Sequence, residues 1–142
     1  MAESARHKTG EMCWLEIPVH DINRAKKLYA DVFGWECQGE SMPMPEKVCG
    51  IKSMHFFNRG GVHGAFLAME DGFQQTKHSK QNKEVLPALP TFCVDECNET
   101  LETVKKHGGD VQCPKTAIGG DMGHFARFID TEGNIIGIWS KH

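Results

Sequence analysis

The chain has 142 residues, 39% of them hydrophobic and 25% charged, and its 16 lysines and arginines against 19 aspartates and glutamates give a formal net charge of -3. This length and balance predict one compact globular domain, residues 1–142. The basic residues are scattered and the apolar runs are far shorter than the roughly 20 residues that span a bilayer, which argues against nucleic-acid and membrane partners.

The six cysteines indicate the redox environment. None of them stands in CxxC spacing, and the polar N-terminal stretch MAESARHKTGEM lacks the apolar segment of a secretory signal. We therefore expect reduced thiols and a cytoplasmic location.

The first half of the chain predicts a strand, a helix and three further strands. Alternation in MCWLEIPV indicates the first strand. Asp21 and Asn23 offer N-cap oxygens to a helix with one apolar stripe, which Gly34 ends. A short strand at 35–38, a loop containing MPMP, and strands at 51–57 and 62–69 follow. The order βαβββ spans residues 12–70 approximately.

The second half predicts the same order over about residues 88–141. A strand at 89–94 precedes a helix that Asp95 can cap and Gly108 stops, and strands at 110–113, 124–129 and 134–140 follow. The segment 72–85 between the halves is polar and aperiodic, which is typical of a solvated linker.

Each half ends with a similarly spelled heptad, GGVHGAF at 60–66 and GNIIGIW at 133–139. With WLEIPVHDINRAKKLYADVFGWE and FIDTEGNIIGIW, these stretches resemble the vicinal oxygen chelate superfamily, which includes glyoxalase I, bleomycin-resistance proteins and extradiol dioxygenases. The resemblance covers the chain from about Met12 onward. It implies an α+β fold in which two βαβββ repeats form one curved mixed sheet around a cavity, with the helices outside.

The resemblance also gives expectations for a metal. Metal-dependent members place His, Gln or Glu ligands on strands one, four, five and eight, and the matching positions here hold Trp14, Gly64, Leu89 and Gly137. None of these side chains coordinates a divalent ion, so we expect neither a metal nor another cofactor. The two glycines would instead leave space for a ligand.

Strand alternation then predicts the lining of the cavity. The expected substrate-binding residues are Trp14, Gly64, Phe66, Gly137 and Trp139. Their rings would favour an aromatic or polycyclic guest, although packing against each other as core is the alternative.

Two residues are candidates for proton transfer. Glu16 shares the face of Trp14, and a carboxylate walled by aromatic rings would have a raised pKa and could act as a base; a rim position or a partner arginine is the alternative. His124 could act at the cavity mouth or have no role. His63 takes the place of Ile136 in the repeat, so a structural or surface role is expected for it, and the sequence does not assign His55 or His63 to a sheet face.

Members of this superfamily bind, isomerise, cleave or oxidise different substrates, so fold alone does not select the function. Three functions stay open: a metal-independent, glyoxalase-like isomerase or lyase; a bleomycin-resistance-like protein that binds or sequesters a small molecule; and a metal-dependent lyase or dioxygenase. A homodimer is suggested by analogy only.

Overall fold

The computed structural model describes residues 8–37, 39–44, 48–73, 76–79, 81 and 86–142. The first unit comprises β1 (Leu15–Val19), α1 (Ile22–Phe33), β2 (Glu36–Cys37), β3 (Met42–Pro43), a 3-10 turn (Val48–Gly50), β4 (Ile51–Arg59) and β5 (Val62–Met69). The second unit comprises β6 (Thr91–Cys93), α2 (Cys97–Lys106), β7 (Asp110–Ala117), β8 (His124–Ile129) and β9 (Ile135–Ser140). No helix of the described ranges is long and apolar enough to cross a membrane.

The strands form two mixed sheets. The first has the order β1-β5-β4-β2 with the two-residue β3 also paired to β4, and the second has the order β6-β9-β8-β7. In each sheet the first strand runs parallel to the last strand of its unit, and the remaining pairs are antiparallel. The α+β class and the two repeated units are confirmed. Among the described residues no backbone ladder joins the two sheets, so the strands form two sheets and not the single sheet expected.

Local signals explain the first helix. The Asp21 side chain accepts a hydrogen bond from the backbone N–H of Arg24 at 3.1 Å, as an N-cap does. Gly34 ends the helix with a φ of 70°, in the left-handed region that a glycine adopts without a side-chain penalty. Ala25, Leu28 and Tyr29 form its buried stripe.

Several predicted boundaries differ in the structure. Glu96, and not Asp95, caps α2, because its side chain accepts from the backbone N–H of Glu99 at 2.8 Å. β7 continues past Pro114 to Ala117; it is an edge strand with two irregularities, where a proline is tolerated. Gln38, Pro45 and parts of the predicted linker, residues 74–75, 80 and 82–85, lie outside the described residues.

The core lies between the sheets and the two helices. Trp35 stacks on Phe57 with ring centroids 4.4 Å apart and on Tyr29 at 5.0 Å. Phe33 of α1 reaches Phe92 of the second unit at 4.8 Å. One cluster of buried side chains therefore spans both units. The opposite side of both sheets, which faces away from the helices, is called the open face below.

The turn between β8 and β9 forms hydrogen bonds with the first unit. Tyr29 Oη donates to Asp130 Oδ2 at 2.6 Å, and Asn134 Nδ2 donates to the carbonyl oxygen of Pro18 at 3.0 Å. Burial raises the pKa of Asp130, although the hydrogen bonds from Tyr29 and Asn134 oppose that rise. The predicted turn sequence DTEG is thus a contact between the units as well as a connection.

Candidate functional site

The register of the parallel ladders decides which residues share the open face. Leu15 pairs with Gly64 and Ile17 with Phe66. Ile17 lies in the core, so Phe66 points to the helices, and residues one position away on either strand point to the open face. Glu16 is accordingly on the open face, and Trp14 precedes it with 42% of its surface exposed.

The predicted positions of Phe66 and Gly64 on the cavity face are wrong. Phe66 is 1% exposed and packs against Phe57 at a centroid distance of 4.8 Å. A Cβ on Gly64 would overlap the carbonyl oxygen of Leu15 and lie 2.7 Å from Cζ of Phe57, so protein atoms already fill the space expected for a ligand. The physical reason is that Gly64 and Phe66 of the first heptad face the core, whereas the matching Gly137 and Trp139 of the second heptad face away from it.

Gly137 and Trp139 do lie on the open face. They alternate with the core residues Ile136 and Ile138 on β9. The indole Nε1 of Trp139 donates to the carbonyl oxygen of Met122 at 2.8 Å, which fixes the ring beneath the loop that precedes β8. Trp139 does not line the small cleft that contains Trp14.

The two proton-transfer candidates lie on opposite faces. His124 pairs in register with Ser140, and Ser140 is buried against Cys97 on the helix side. Glu16 is on the open face and exposed. His124 lies on the helix side of the second sheet and Glu16 on the open face of the first, so His124 and Glu16 do not form one acid–base pair. Nδ1 of His124 is buried and has no hydrogen-bond partner among the described residues.

Two further histidines, His55 on β4 and His63 on β5, lie on opposite faces of the first sheet. His63 is exposed and lies on the open face, one residue before the core-facing Gly64. His55 pairs with Phe66 and thus lies on the helix side, where its Nε2 is 3.0 Å from Oγ of Ser53. Burial lowers the pKa of His55, and the positive charge of Lys26 lowers it further.

A groove of about 510 Å³, here called the junction groove, runs where the two units meet. It contains Glu16 and reaches across β1 to the start of β9. The lining residues are Leu15, Glu16, Ile17, Pro18, Met69, Thr76, His78, Pro87, Ala88, Pro90, Asn134, Ile135 and Ile136. Trp14 lines a separate small cleft of about 100 Å³ beside it, together with His63 and Thr91.

Sequence reasoning missed two polar residues of this groove, Thr76 and His78. The segment that carries them has the composition of a linker and no periodicity, so nothing in the sequence marks them. In the structure, the backbone N–H of His78 donates to the carbonyl oxygen of Gly133 at 2.8 Å, which holds this part of the segment beside β9.

The donor groups do not fit a chelated metal. Within the described ranges, no three side chains of His, Cys, Asp or Glu converge as a metal ion would require. We therefore derive no chemistry from a bound metal.

Sequence comparisons identify relatives. Residues 12–49 match the bleomycin resistance protein-like N-terminal family model. A glyoxylase-like domain-containing protein of Didymella fabae is 29% identical over 134 residues, covering 93% of this chain and 94% of that protein. The protein CFP32 of Mycobacterium tuberculosis, named as a glyoxylase, is 26% identical over 142 residues; the chain spans 50% of its length.

Solved structures share the fold. A glyoxalase family protein from Bacillus cereus superposes with a TM-score of 0.72 at 16% identity, covering 96% of this chain and 97% of that one. The fosfomycin resistance protein FosX of Listeria monocytogenes, in complex with Mn(II) and a dihydroxypropylphosphonic acid, gives 0.65 at 16% identity, with 94% and 91% covered. At these identities the likeness concerns the fold. Together with the two repeated units, the sequence matches support the resemblance of this chain to the vicinal oxygen chelate superfamily.

Proposed function

We propose that this chain binds an apolar or aromatic small molecule in the junction groove and holds it without converting it, as a binding or sequestration protein of the bleomycin-resistance type. The supporting observation is the groove itself. Its volume of about 510 Å³ falls within the roughly 300 to 1,000 Å³ of small-molecule sites, and its lining is mainly apolar with a few polar groups. The match of residues 12–49 to the bleomycin-resistance-like model includes one wall of this groove.

Glu16 supplies the polar selectivity of the proposed site. Glu16 lines the groove together with three prolines, Pro18, Pro87 and Pro90. An apolar ligand that covered this carboxylate without donating a hydrogen bond would leave a desolvated charge, which is costly. The preferred ligand therefore carries a hydrogen-bond donor or a positive charge beside its apolar body.

A second candidate function is the metal-independent isomerase or lyase with Glu16 as the base. One observation favours it: His78 lines the same groove as Glu16. A carboxylate and an imidazole in one apolar groove are the groups that general acid–base catalysis uses. The isolated chain leaves Glu16 exposed, so the desolvation that this role requires would have to come from the bound substrate.

Titration with 1-naphthylmethylamine, followed by amide chemical shifts, tests binding. We expect shifts at Glu16, Ala88 and Ile135 and an unchanged ligand after prolonged incubation. Ala88→Trp fills the groove and should abolish these shifts, whereas Lys141→Ala, an exposed control, should keep them. Shifts elsewhere only, or none at millimolar ligand, would refute the proposed site.

The Glu16→Gln variant separates the two functions. If a substrate of the chain is converted, the variant should lose turnover and retain binding when Glu16 is the base. Unchanged turnover would exclude that role. In a binding protein, the same variant should weaken the amine and leave neutral 1-naphthalenemethanol unaffected.

We also propose that residues 1–142 form one folding domain, because one core cluster includes side chains of both units. A single cooperative unfolding transition with coincident probes would support this. We propose in addition that the protein forms a homodimer, which analytical sedimentation tests. A cytoplasmic location is proposed as well, and cell fractionation tests it.

A further inference from the structure

A second, smaller cavity adjoins the junction groove. It is the cleft of about 100 Å³ that contains Trp14, here called the Trp14 cleft. Leu15 and Pro90 line both cavities, so the cleft and the groove meet at these two residues. The cleft lies where β1 begins and the groove continues along β1, which puts the two cavities one after the other where the units meet.

The lining of the Trp14 cleft suits an apolar group. No aspartate, glutamate, lysine or arginine is among the described residues that line it, and Cys13, His63 and Thr91 supply its polar side chains. Met12 and Trp14, two of the lining residues, are 74% and 42% exposed. Water therefore contacts apolar surface here, and covering that surface favours binding. A charged group would lose its hydration in the cleft without gaining a charged partner.

The volume of the Trp14 cleft limits the shape of the group that it can take. An apolar cavity of about 150 Å³ takes up benzene, whereas the cleft measures about 100 Å³. An unbranched alkyl chain is narrower than a ring and fits this smaller space. The junction groove, at about 510 Å³, has room for a ring system. A ligand that uses both cavities therefore places its ring in the groove and an alkyl chain in the cleft.

Two features of the Trp14 cleft show that it is preformed. The Trp14 ring makes an edge-to-face contact with Phe56, with ring centroids 5.9 Å apart and an interplanar angle of 65°. This contact restrains the indole, because aromatic rings favour the edge-to-face arrangement. Gly61, in the turn between β4 and β5, lines the cleft without a side chain, and a Cβ added there would meet no atom within 4 Å. The space beside Gly61 is thus open to a ligand.

The spacing of Glu16 and Trp14 sets the length of the chain. Glu16 lines the groove and Trp14 lines the cleft. The two residues are two positions apart in an extended segment, which separates them by roughly 6–7 Å along the strand. A donor group bound to Glu16 therefore needs a substituent of about this length to enter the cleft. A methyl group is too short, whereas a hexyl group is long enough.

We propose that the ligand of the junction groove is a cationic amine that carries both an aromatic ring and an unbranched alkyl chain, and that the Trp14 cleft binds the chain. The ring lies in the groove, the ammonium group donates to the carboxylate of Glu16, and the chain passes Leu15 and Pro90 to reach Trp14. This assignment rests on the proposed function of the groove and adds a second subsite, which selects ligands by the length of the chain.

The probes are N-methyl-1-naphthylmethylamine and N-hexyl-1-naphthylmethylamine, which share the ring and the charged secondary amine. Calorimetry and amide chemical shifts measure the binding of each compound. We expect the hexyl compound to bind about tenfold more tightly, because each methylene group that is fully buried favours binding about fourfold. It should also shift the amides of Gly61 and His63 and the indole N–H of Trp14, which the methyl compound should leave unchanged.

Two variants remove the cleft, and each has a control. Gly61→Leu places a side chain in the open space, where the backbone has no positive φ, and should reduce the tenfold gain to about twofold or less. Glu102→Leu adds the same side chain to the exposed surface of α2 and should keep the full gain. Trp14→Ala removes one wall and should also reduce the gain, whereas Trp139→Ala, outside the cleft, should retain it. Far-UV circular dichroism and the melting temperature identify variants that remain folded.

Three results would overturn the proposal: equal affinities of the two compounds for the native chain, an undiminished gain in both Gly61→Leu and Trp14→Ala, or shifts by the hexyl compound that leave Gly61, His63 and Trp14 unchanged. In each of these cases the methyl compound can still shift Glu16, Ala88 and Ile135, which leaves the proposed function of the groove intact. Failure of the groove gives a different result, since the methyl compound then shifts none of these three amides at millimolar concentration. That result would overturn both proposals.

Discussion

Glu132 is the most informative residue for the attachment between the units. Its side chain is fully buried, and Oε1 accepts hydrogen bonds from the backbone N–H groups of His20 and Asp21, both at 2.9 Å. Oε2 accepts from Nε of Arg24 at 2.7 Å and from Oγ1 of Thr131 at 2.9 Å. A carboxylate of the second unit thus satisfies donors at the N-terminus of α1, where negative charge is favourable.

Glu132→Gln keeps the shape and removes the charge. The amide oxygen can still accept from the two backbone N–H groups, but each bond changes from a charged to a neutral one, a loss of about 1 kcal/mol apiece. The amide nitrogen then faces the Arg24 guanidinium. Because Arg24 is 48% exposed, solvent screening limits that ion pair to about 1 kcal/mol or less. We therefore expect a loss of about 2–3 kcal/mol at pH 7, against the roughly 5–15 kcal/mol by which domains are stable.

The loss should depend on pH. Burial acts to raise the pKa of Glu132, but the hydrogen bonds from Arg24, Asp21 and His20 outweigh it and hold the pKa below its usual 4.5. With a folded-state pKa that is depressed, the stabilisation is present above 4.5 and is lost as pH falls through the lower value. The difference between the two proteins should consequently shrink between pH 7 and about pH 3.

Urea unfolding at both pH values, followed by tryptophan fluorescence, measures this difference. Glu102→Gln is the control, because Glu102 is 65% exposed and its pairing with Lys105 on the surface of α2 should contribute less than about 0.5 kcal/mol. A loss below about 0.5 kcal/mol for Glu132→Gln at pH 7, or a loss of the same size at both pH values, would refute the reasoning.

Three other predictions concern the stability of the fold. Gly64→Ala should lower the free energy of unfolding by about 1–3 kcal/mol in thermal unfolding, because the added Cβ would press on Phe57. Gly61→Ala is the control and should be nearly neutral, because no atom lies within 4 Å of the added Cβ. Equal effects of the two substitutions would contradict this reasoning. Tyr29→Phe should cost about 1.5–3 kcal/mol in urea, since buried Asp130 loses a donor. Because the pKa of Asp130 is already raised by burial and would rise further, this deficit should grow from pH 3 to pH 7, and a deficit that fell with pH would disprove it. Dialysis against EDTA should leave the melting temperature unchanged; release of one equivalent of zinc, nickel or iron with a lowered melting temperature would contradict it.

Local patterns in the sequence were sufficient for the elements. The apolar stripe and the flanking Asp21 and Gly34 predict α1 closely, because caps and helical periodicity act within a few residues. Strands β5 and β8 were predicted with their observed bounds from apolar runs and turn residues. The repeated order of elements, together with the resemblance to the vicinal oxygen chelate superfamily, in turn indicated the α+β fold.

Which face each strand buries was decided by tertiary structure. Alternation shows that Gly64 shares a face with Phe66, and Gly137 with Trp139, but a period of two does not say which of two faces is covered. The ladder of Ile17 with Phe66 turns the first pair to the helices, whereas the core position of Ile138 turns the second pair outward. The two heptads therefore have similar sequences but bury opposite sets of residues.

The site depends on contacts that are distant in sequence. The backbone N–H of His78 donates to the carbonyl oxygen of Gly133, more than 50 residues away in the chain, and His78 lines the junction groove with Glu16. Residue types and short-range spacing predicted the helices and most of the strands of this protein. Chain packing alone determined which polar groups share a surface, because burial of a face is settled by the whole core and not by any single strand.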